Sequence, residues 1–227
     1  MKRIPVLALA ALVFVPAVLS AQRFGVAGRA GTIGVGVEGA VGLADRLVIR
    51  GGISLLPLEV DPTSLWDLGE GVSATLKLPD TWYNIGVDFY LGSSFRIGGG
   101  MLFKPDDPTI TGTLTGSASI NIGGQTYTVE DVTGITGKFA SKNRAPYALI
   151  GFGKHTSSGI GLFLDLGVVL LGEPNLHLTA TGNSSLINSS DFQTRLRTEE
   201  QSLEDRAGTY LKYWPILNLG LRVGIGG

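Results

Sequence analysis

Cysteine is absent from the 227 residues. That excludes a disulfide, a thiolate metal centre and a lipid-modified N-terminus. Charge is scarce too: 16 % of residues are charged and the formal net charge is −1, which gives no electrostatic footing for nucleic acid. Histidine occurs only as His155 and His177, so a structural zinc site is not expected. After residue 22 there is no apolar run of the roughly 18 residues that an α-helical membrane span needs. Yet mean hydropathy is positive, and the 34 glycines are about twice the usual ~7 % share. A chain that is apolar on average without an apolar run must carry its hydrophobicity in alternation.

The first residues carry an export signal. Lys2 and Arg3 precede an apolar core over Ile4–Val18, and Ser20 and Ala21 suit cleavage near Ala21. Pro5 and Pro16 argue against a permanent anchor helix. Two parts are therefore expected, a signal peptide over 1–21 and one domain over 22–227.

That domain is read from its alternation. In Ile33–Leu43, Ile33, Val35, Val37, Val41 and Leu43 share one face, with glycine, alanine and Glu38 on the other. Leu47–Leu55 sets Leu47, Ile49, Ile53 and Leu55 against Val48, Arg50, Gly52 and Ser54. Period two marks a β-strand, and such segments of about ten residues cross a bilayer at a tilt. The pattern recurs in Ala74–Leu91, Phe95–Lys104, Pro146–Lys154, Ile160–Leu171 and Tyr213–Ile225. Strand parity asks for an eighth, and Arg23–Ala30 supplies it. The expected fold is all-β: an eight-stranded, antiparallel, up-and-down transmembrane barrel.

Short connections at 44–46, 92–94 and 155–158 are expected on the periplasmic side. The long ones, 57–71 with Trp66, 105–144 and 172–212, are expected outside. Within them, alternating Thr109, Thr111, Thr113 and Thr115 predict a strand extension. Ile120–Val129 predicts a hairpin turning at Gly123-Gly124, and Asn175–Thr181 another strand-like stretch. One helix before the last strand follows from Phe192, Leu196, Leu203, Ala207 and Leu211, capped at Ser190 with Gln193 and placed across the outer mouth.

Aromatics gather at strand ends. Trp82, Tyr83, Tyr147, Tyr213 and Trp214 are expected in an outer interfacial girdle, and Phe89, Tyr90 and Phe95 in an inner one. By strand phase Glu38, Arg50, Asp88, Arg96, Asp165 and Arg222 point inward. Facing lipid, each would cost ~2–4 kcal/mol at mid-depth. Three acids and three arginines suggest a paired network, while the lumen glycines would leave room for a narrow cavity.

Other motifs dissolve on inspection. Gly34-Val35-Gly36-Val37-Glu38-Gly39 spells a dinucleotide fingerprint, but it sits inside a strand with no helix after it. His155 beside Ser157 and Ser158, and His177 ahead of Ser184 and Ser185, lack a spaced acid, so no catalytic residue and no cofactor are expected. Asp106-Asp107 could hold Ca²⁺ weakly, and Asn183-Ser184-Ser185 and Asn188-Ser189-Ser190 are sequons by pattern alone.

The turn-flanked run Gly42-Leu43-Ala44-Asp45-Arg46-Leu47 resembles the small outer-membrane barrels of the OmpA/OmpW type. Ile122-Gly123-Gly124-Gln125-Thr126-Tyr127-Thr128, Ala145-Pro146-Tyr147, Gly151-Phe152-Gly153 and Leu178–Gly182 are closer to uncharacterised envelope barrels of Gram-negative bacteria. The resemblance implies a monomer in outer-membrane lipid, inserted by the barrel assembly machinery. It also implies a terminal aromatic residue, where this chain has Ile225-Gly226-Gly227. Three functions are expected in order: a plugged barrel acting through its outer loops, an OmpW-like passage for small apolar molecules, and a lipid-modifying enzyme. An eight-stranded interior is too narrow for a general porin.

Overall fold

The computed structural model describes residues 23–61, 71–173 and 175–225. The expected signal peptide and Trp66 lie outside them. Three strands open the fold: β1 (Phe24–Gly31), β2 (Gly34–Ala44) and β3 (Leu47–Leu55). Two short ones, β4 (Glu59–Val60) and β5 (Val72–Lys77), precede β6 (Thr81–Tyr90) and β7 (Phe95–Phe103). Next come β8 (Thr109–Leu114), β9 (Ser119–Ile122), β10 (Gln125–Thr128) and β11 (Val132–Ala140). β12 (Arg144–Phe152), β13 (Gly159–Leu170) and β14 (Asn175–Gly182) follow. Helices α1 (Ser184–Ile187) and α2 (Ser190–Leu211) then lead into β15 (Tyr213–Ile225).

Eight of these strands close a barrel in the order β1-β15-β13-β12-β7-β6-β3-β2. Every neighbour is antiparallel, and β1 closes the ring against β15 from Phe24↔Ile225 to Gly31↔Asn218. Alternation decides which residues go out. Val35, Ile160, Leu162, Leu219 and Ile225 are among the most exposed large hydrophobic residues described, an apolar belt that would be anomalous in water and is required in lipid.

One strand and one connection depart most from the sequence pattern. Ala74–Leu91 is not one strand but β5 and β6, because Pro79 has no N–H for the ladder and the chain kinks at Leu78-Pro79-Asp80. The β1–β2 connection is only Thr32-Ile33, with Gly34 at φ +96, so one tight turn sits at the end that otherwise carries the long connections.

The long connections are walls rather than loops. A five-stranded sheet of order β14-β11-β8-β5-β4 stands on the barrel strands β13-β12-β7-β6-β3, each extension above its own strand. Thr109, Thr111 and Thr113 of the alternating threonines lie in β8 while Thr115 falls just past its end, and β9 and β10 turn at Gly123 and Gly124, both at positive φ. β15 has no such extension. In its place α2 runs beside the free edge of β14, where Glu200 accepts a hydrogen bond from the Leu178 backbone N–H at 2.6 Å and Glu204 one from that of Leu176. Carboxylates thus satisfy an edge that would otherwise be free to pair with another strand. Phe192 and Leu196 anchor the helix on Ile122, Tyr127 and Val132, so it lies along β14 and the hairpin. Its cap is Ser189, whose hydroxyl accepts from the Phe192 N–H, rather than Ser190.

Candidate functional site in the barrel interior

Inward positions of neighbouring strands meet in three layers. The middle one is ionic. Arg50 on β3 reaches Glu38 on β2 at 3.3 Å and Asp165 on β13 at 3.0 Å. Its Nε stands 3.2 Å from Asp88 Oδ1 without hydrogen-bond alignment. Arg96 on β7 donates to Asp88 at 2.8 Å and to Asp165. Arg29 on β1 donates to Glu38 at 2.7 Å, to Asn84 at 2.6 Å and to Ser54 at 3.0 Å. All six charged side chains are buried.

Five of the six expected network members therefore meet, and the sixth member, the third cation, is Arg29 rather than Arg222. Arg222 is also buried, but its guanidinium donates to the backbone carbonyls of Ser157 and Gly159 and touches no carboxylate among the described residues. The physical reason is height in the barrel: Arg222 pairs in register with Gly161, close to the short-turn end. Arg29 was readable in principle. With Gly25 and Ala27 it lies on the one face of β1 free of Phe24 and Val26.

The layer toward the long connections is apolar, built on Ile33, Trp82, Leu102, Val169, Leu171 and Ile216. Here the aromatic reading needs correction. Trp82, Tyr90, Tyr147 and Trp214 point inward, because each shares strand phase with a lumen residue such as Asp88 or Asn218. Trp82 and Trp214 pack at 5.5 Å and donate their indole N–H groups to the Pro79 and Thr32 carbonyls. Tyr83, Phe89 and Tyr213 are outward and exposed. Phe95 meets the outward Phe152 at 5.3 Å.

The layer at the short-turn end is the 153–158 turn folded back into the barrel. His155 is buried, with Nε2 3.1 Å from Glu38 and Nδ1 3.2 Å from the Tyr90 hydroxyl. Its backbone N–H donates to that hydroxyl at 2.9 Å, and Phe163 covers the ring. Arg96 also donates to the Gly153 carbonyl at 2.7 Å. Neither ring nitrogen faces Ser157 or Ser158, and His177 stands on the exposed face of β14.

Glycine makes this packing possible. An added Cβ at Gly86 would fall 2.0 Å from the Tyr147 hydroxyl, and one at Gly151 2.5 Å from the Arg96 guanidinium. At Gly220 it would meet the Phe163 ring at 2.1 Å. Lumen glycines are thus sockets for large neighbours and not the source of a cavity. The space left among Arg29, Arg50, Asn84, Tyr147 and Asn218 is about 10 Å³, at or below the room one water needs.

Outside the barrel, the expected Ca²⁺ pair is otherwise engaged. Asp107 accepts from Lys104 and from the Ser141 N–H at 3.3 Å, with Lys138 at 3.6 Å. Partial burial pulls its carboxyl up, but Lys104 and the Ser141 N–H outweigh that and hold it below the usual carboxylate value. The fingerprint glycines lie within β2, where Glu38 serves the network.

No protein-family model and no curated sequence matches the chain. Among solved structures, CarO2 of Acinetobacter baumannii overlaps with a TM-score of 0.57 at 18 % identity, over 89 % of this chain and 98 % of that one. CarO of the same organism gives 0.55 at 15 %, over 88 % and 96 %. A looser overlap, 0.44 at 14 % over 90 % and 100 %, is with a major outer membrane protein of Thermus thermophilus. The two CarO structures show what this chain shares with them, the fold of a closed transmembrane β-barrel.

Proposed function

We propose that this chain is an outer-membrane β-barrel protein with its interior closed by its own side chains, acting as a structural or surface-interaction element through the long-connection end. The observation that carries this is the ionic layer. Its three arginines and three acids join six of the eight strands of the ring and leave about 10 Å³ beside them. A solute would have to break several buried pairs to pass, and balanced charge favours neither sign of ion. No catalytic role is assigned, since the two histidines meet no serine nucleophile. The chain works as a monomer, delivered by the barrel assembly machinery, with its long-connection end facing outward.

One observation favours a second reading, passage of small apolar molecules as in OmpW-type barrels. The layer nearest the long connections is apolar, with Trp82, Leu102 and Ile216. The ionic layer beneath it stands against that reading.

The test is fractionation with a tag at Ser157 and a release assay from loaded vesicles. The account expects recovery with the outer membrane, a tag hidden in intact cells, and no faster release of a small apolar dye than from empty vesicles. Recovery in the soluble periplasm would end the barrel assignment, a surface-exposed tag would invert the orientation, and dye release would favour the second reading.

A further inference from the structure

The five-stranded extension has two unlike faces. One carries Val72, Ala74, Leu76, Ile110, Leu114, Ile135 and Leu178, and the helices and the β9–β10 hairpin pack on it. The other is almost wholly hydroxyl-bearing and in register across four strands. Thr75, Thr111, Thr136 and Thr179 form one row, and Ser73, Thr113, Gly134 and Thr181 the next. The row nearest the barrel is Lys77, Thr109, Lys138 and His177.

This face continues the lipid-facing surface of the barrel. Lys77 shares a hollow of about 660 Å³ with Leu55 and Thr81, at the top of the apolar belt. Beside it, a second hollow of about 340 Å³ is lined by Lys77, Thr109 and Lys138 together with Asp80, Asp106 and Asp107. Lys77 pairs with Asp80 at 3.2 Å and Lys138 with Asp107 at 3.6 Å, yet the two lysine side chains remain 53 % and 58 % exposed. Exposed Lys142 and Arg144 stand one step closer to the bilayer. The wall rises about 20 Å, with hydroxyls every ~4.8 Å across strands.

We propose that this face docks the phosphorylated sugar headgroup of a glycolipid in the surrounding leaflet. Phosphates sit at the Lys77–Lys138 row, and sugar hydroxyls lie on the threonine rows above. Acyl chains continue down the belt past Leu55. No large apolar or aromatic side chain stands in the threonine rows, so the face suits neither lipid tails nor a protein core. The opposite side, β15, β1 and β2, lacks the wall, so the glycolipid gathers on one flank only. The proposal rests on the orientation proposed above, whereas its test in detergent does not depend on orientation.

The experiment titrates the purified full chain in micelles with a bisphosphorylated lipid A-type glycolipid, its dephosphorylated form and phosphatidylglycerol, read by native mass spectrometry. The phosphorylated glycolipid should bind best. The exposed double variant Lys77→Ala/Lys138→Ala should bind about five-fold more weakly, and Thr111→Val/Thr136→Val should also lose affinity. Arg46→Ala, on a short turn, should bind like wild type, with all variants melting alike. Equal binding of phosphatidylglycerol, or lysine and threonine variants that bind like wild type, would overturn the proposal.

Discussion

Arg50 Nη1 lies 3.0 Å from Asp165 Oδ2, across 115 positions of sequence and the full width of the barrel. Their strands, β3 and β13, stand four places apart in a ring of eight, on opposite walls. One ion pair therefore braces the barrel through its centre. Buried pairs add little net stability over apolar packing, but breaking one strands the remaining charge.

Arg50→Ala should cost ~3–5 kcal/mol of unfolding free energy, and adding Asp165→Asn should recover part of it. Arg222→Ala removes only carbonyl hydrogen bonds and should cost ~1.5–3 kcal/mol, with no recovery from removing any lumen acid. Denaturant unfolding in detergent measures both. Equal losses, or an acid that rescues Arg222→Ala, would contradict the pairing.

The glycines allow a paired comparison. Gly151→Ala drives a methyl into the Arg96 guanidinium and should destabilise by ~1–3 kcal/mol. Gly39→Ala points to the lipid side with nothing within 4 Å, and should be neutral or stabilising by up to about 1 kcal/mol. The same unfolding assay decides; the reverse order would show that the lumen is not filled.

Much of this was legible beforehand. Ile160 to Leu170 and Leu217 to Ile225 alternate so cleanly that phase alone placed Asp165 and Asn218 inside. Trp82, Tyr90 and Tyr147 cluster at strand ends as girdle residues do, but their phase puts them inside with Asp88 and Leu149. His155 was not legible: a turn that folds back into the lumen leaves no periodic trace. The glycines stand plainly in the sequence, but whether an empty position is a cavity or a socket depends on the neighbour across the barrel, which strand stagger decides.

Asp107 ties the β7–β8 connection to Lys104, Lys138 and Ser141. Its folded value lies below the unfolded one, so its contribution is complete above the unfolded value and disappears as pH falls through the folded one. Proteolysis within 105–144 by an acid-active protease should therefore rise below about pH 4. Asp107→Asn should be cut readily at every pH. A wild-type profile that is flat on acidification would remove this role.

Glu200→Ala with Glu204→Ala should uncover the β14 edge. Amide exchange at Leu176 and Leu178 should accelerate while exchange at Leu164 and Leu166 in β13 stays slow. Unchanged protection at Leu176 and Leu178 would mean that the helix does not guard the edge.

The most direct test of a closed interior is conductance of the purified protein in a planar bilayer. The wild type should show no steady current above the bare membrane, whereas Arg50→Ala should flicker open, because the brace between β3 and β13 is gone. Stable ohmic pores from the wild type, no smaller than those of Arg50→Ala, would show that these side chains line open water and that the barrel is not closed.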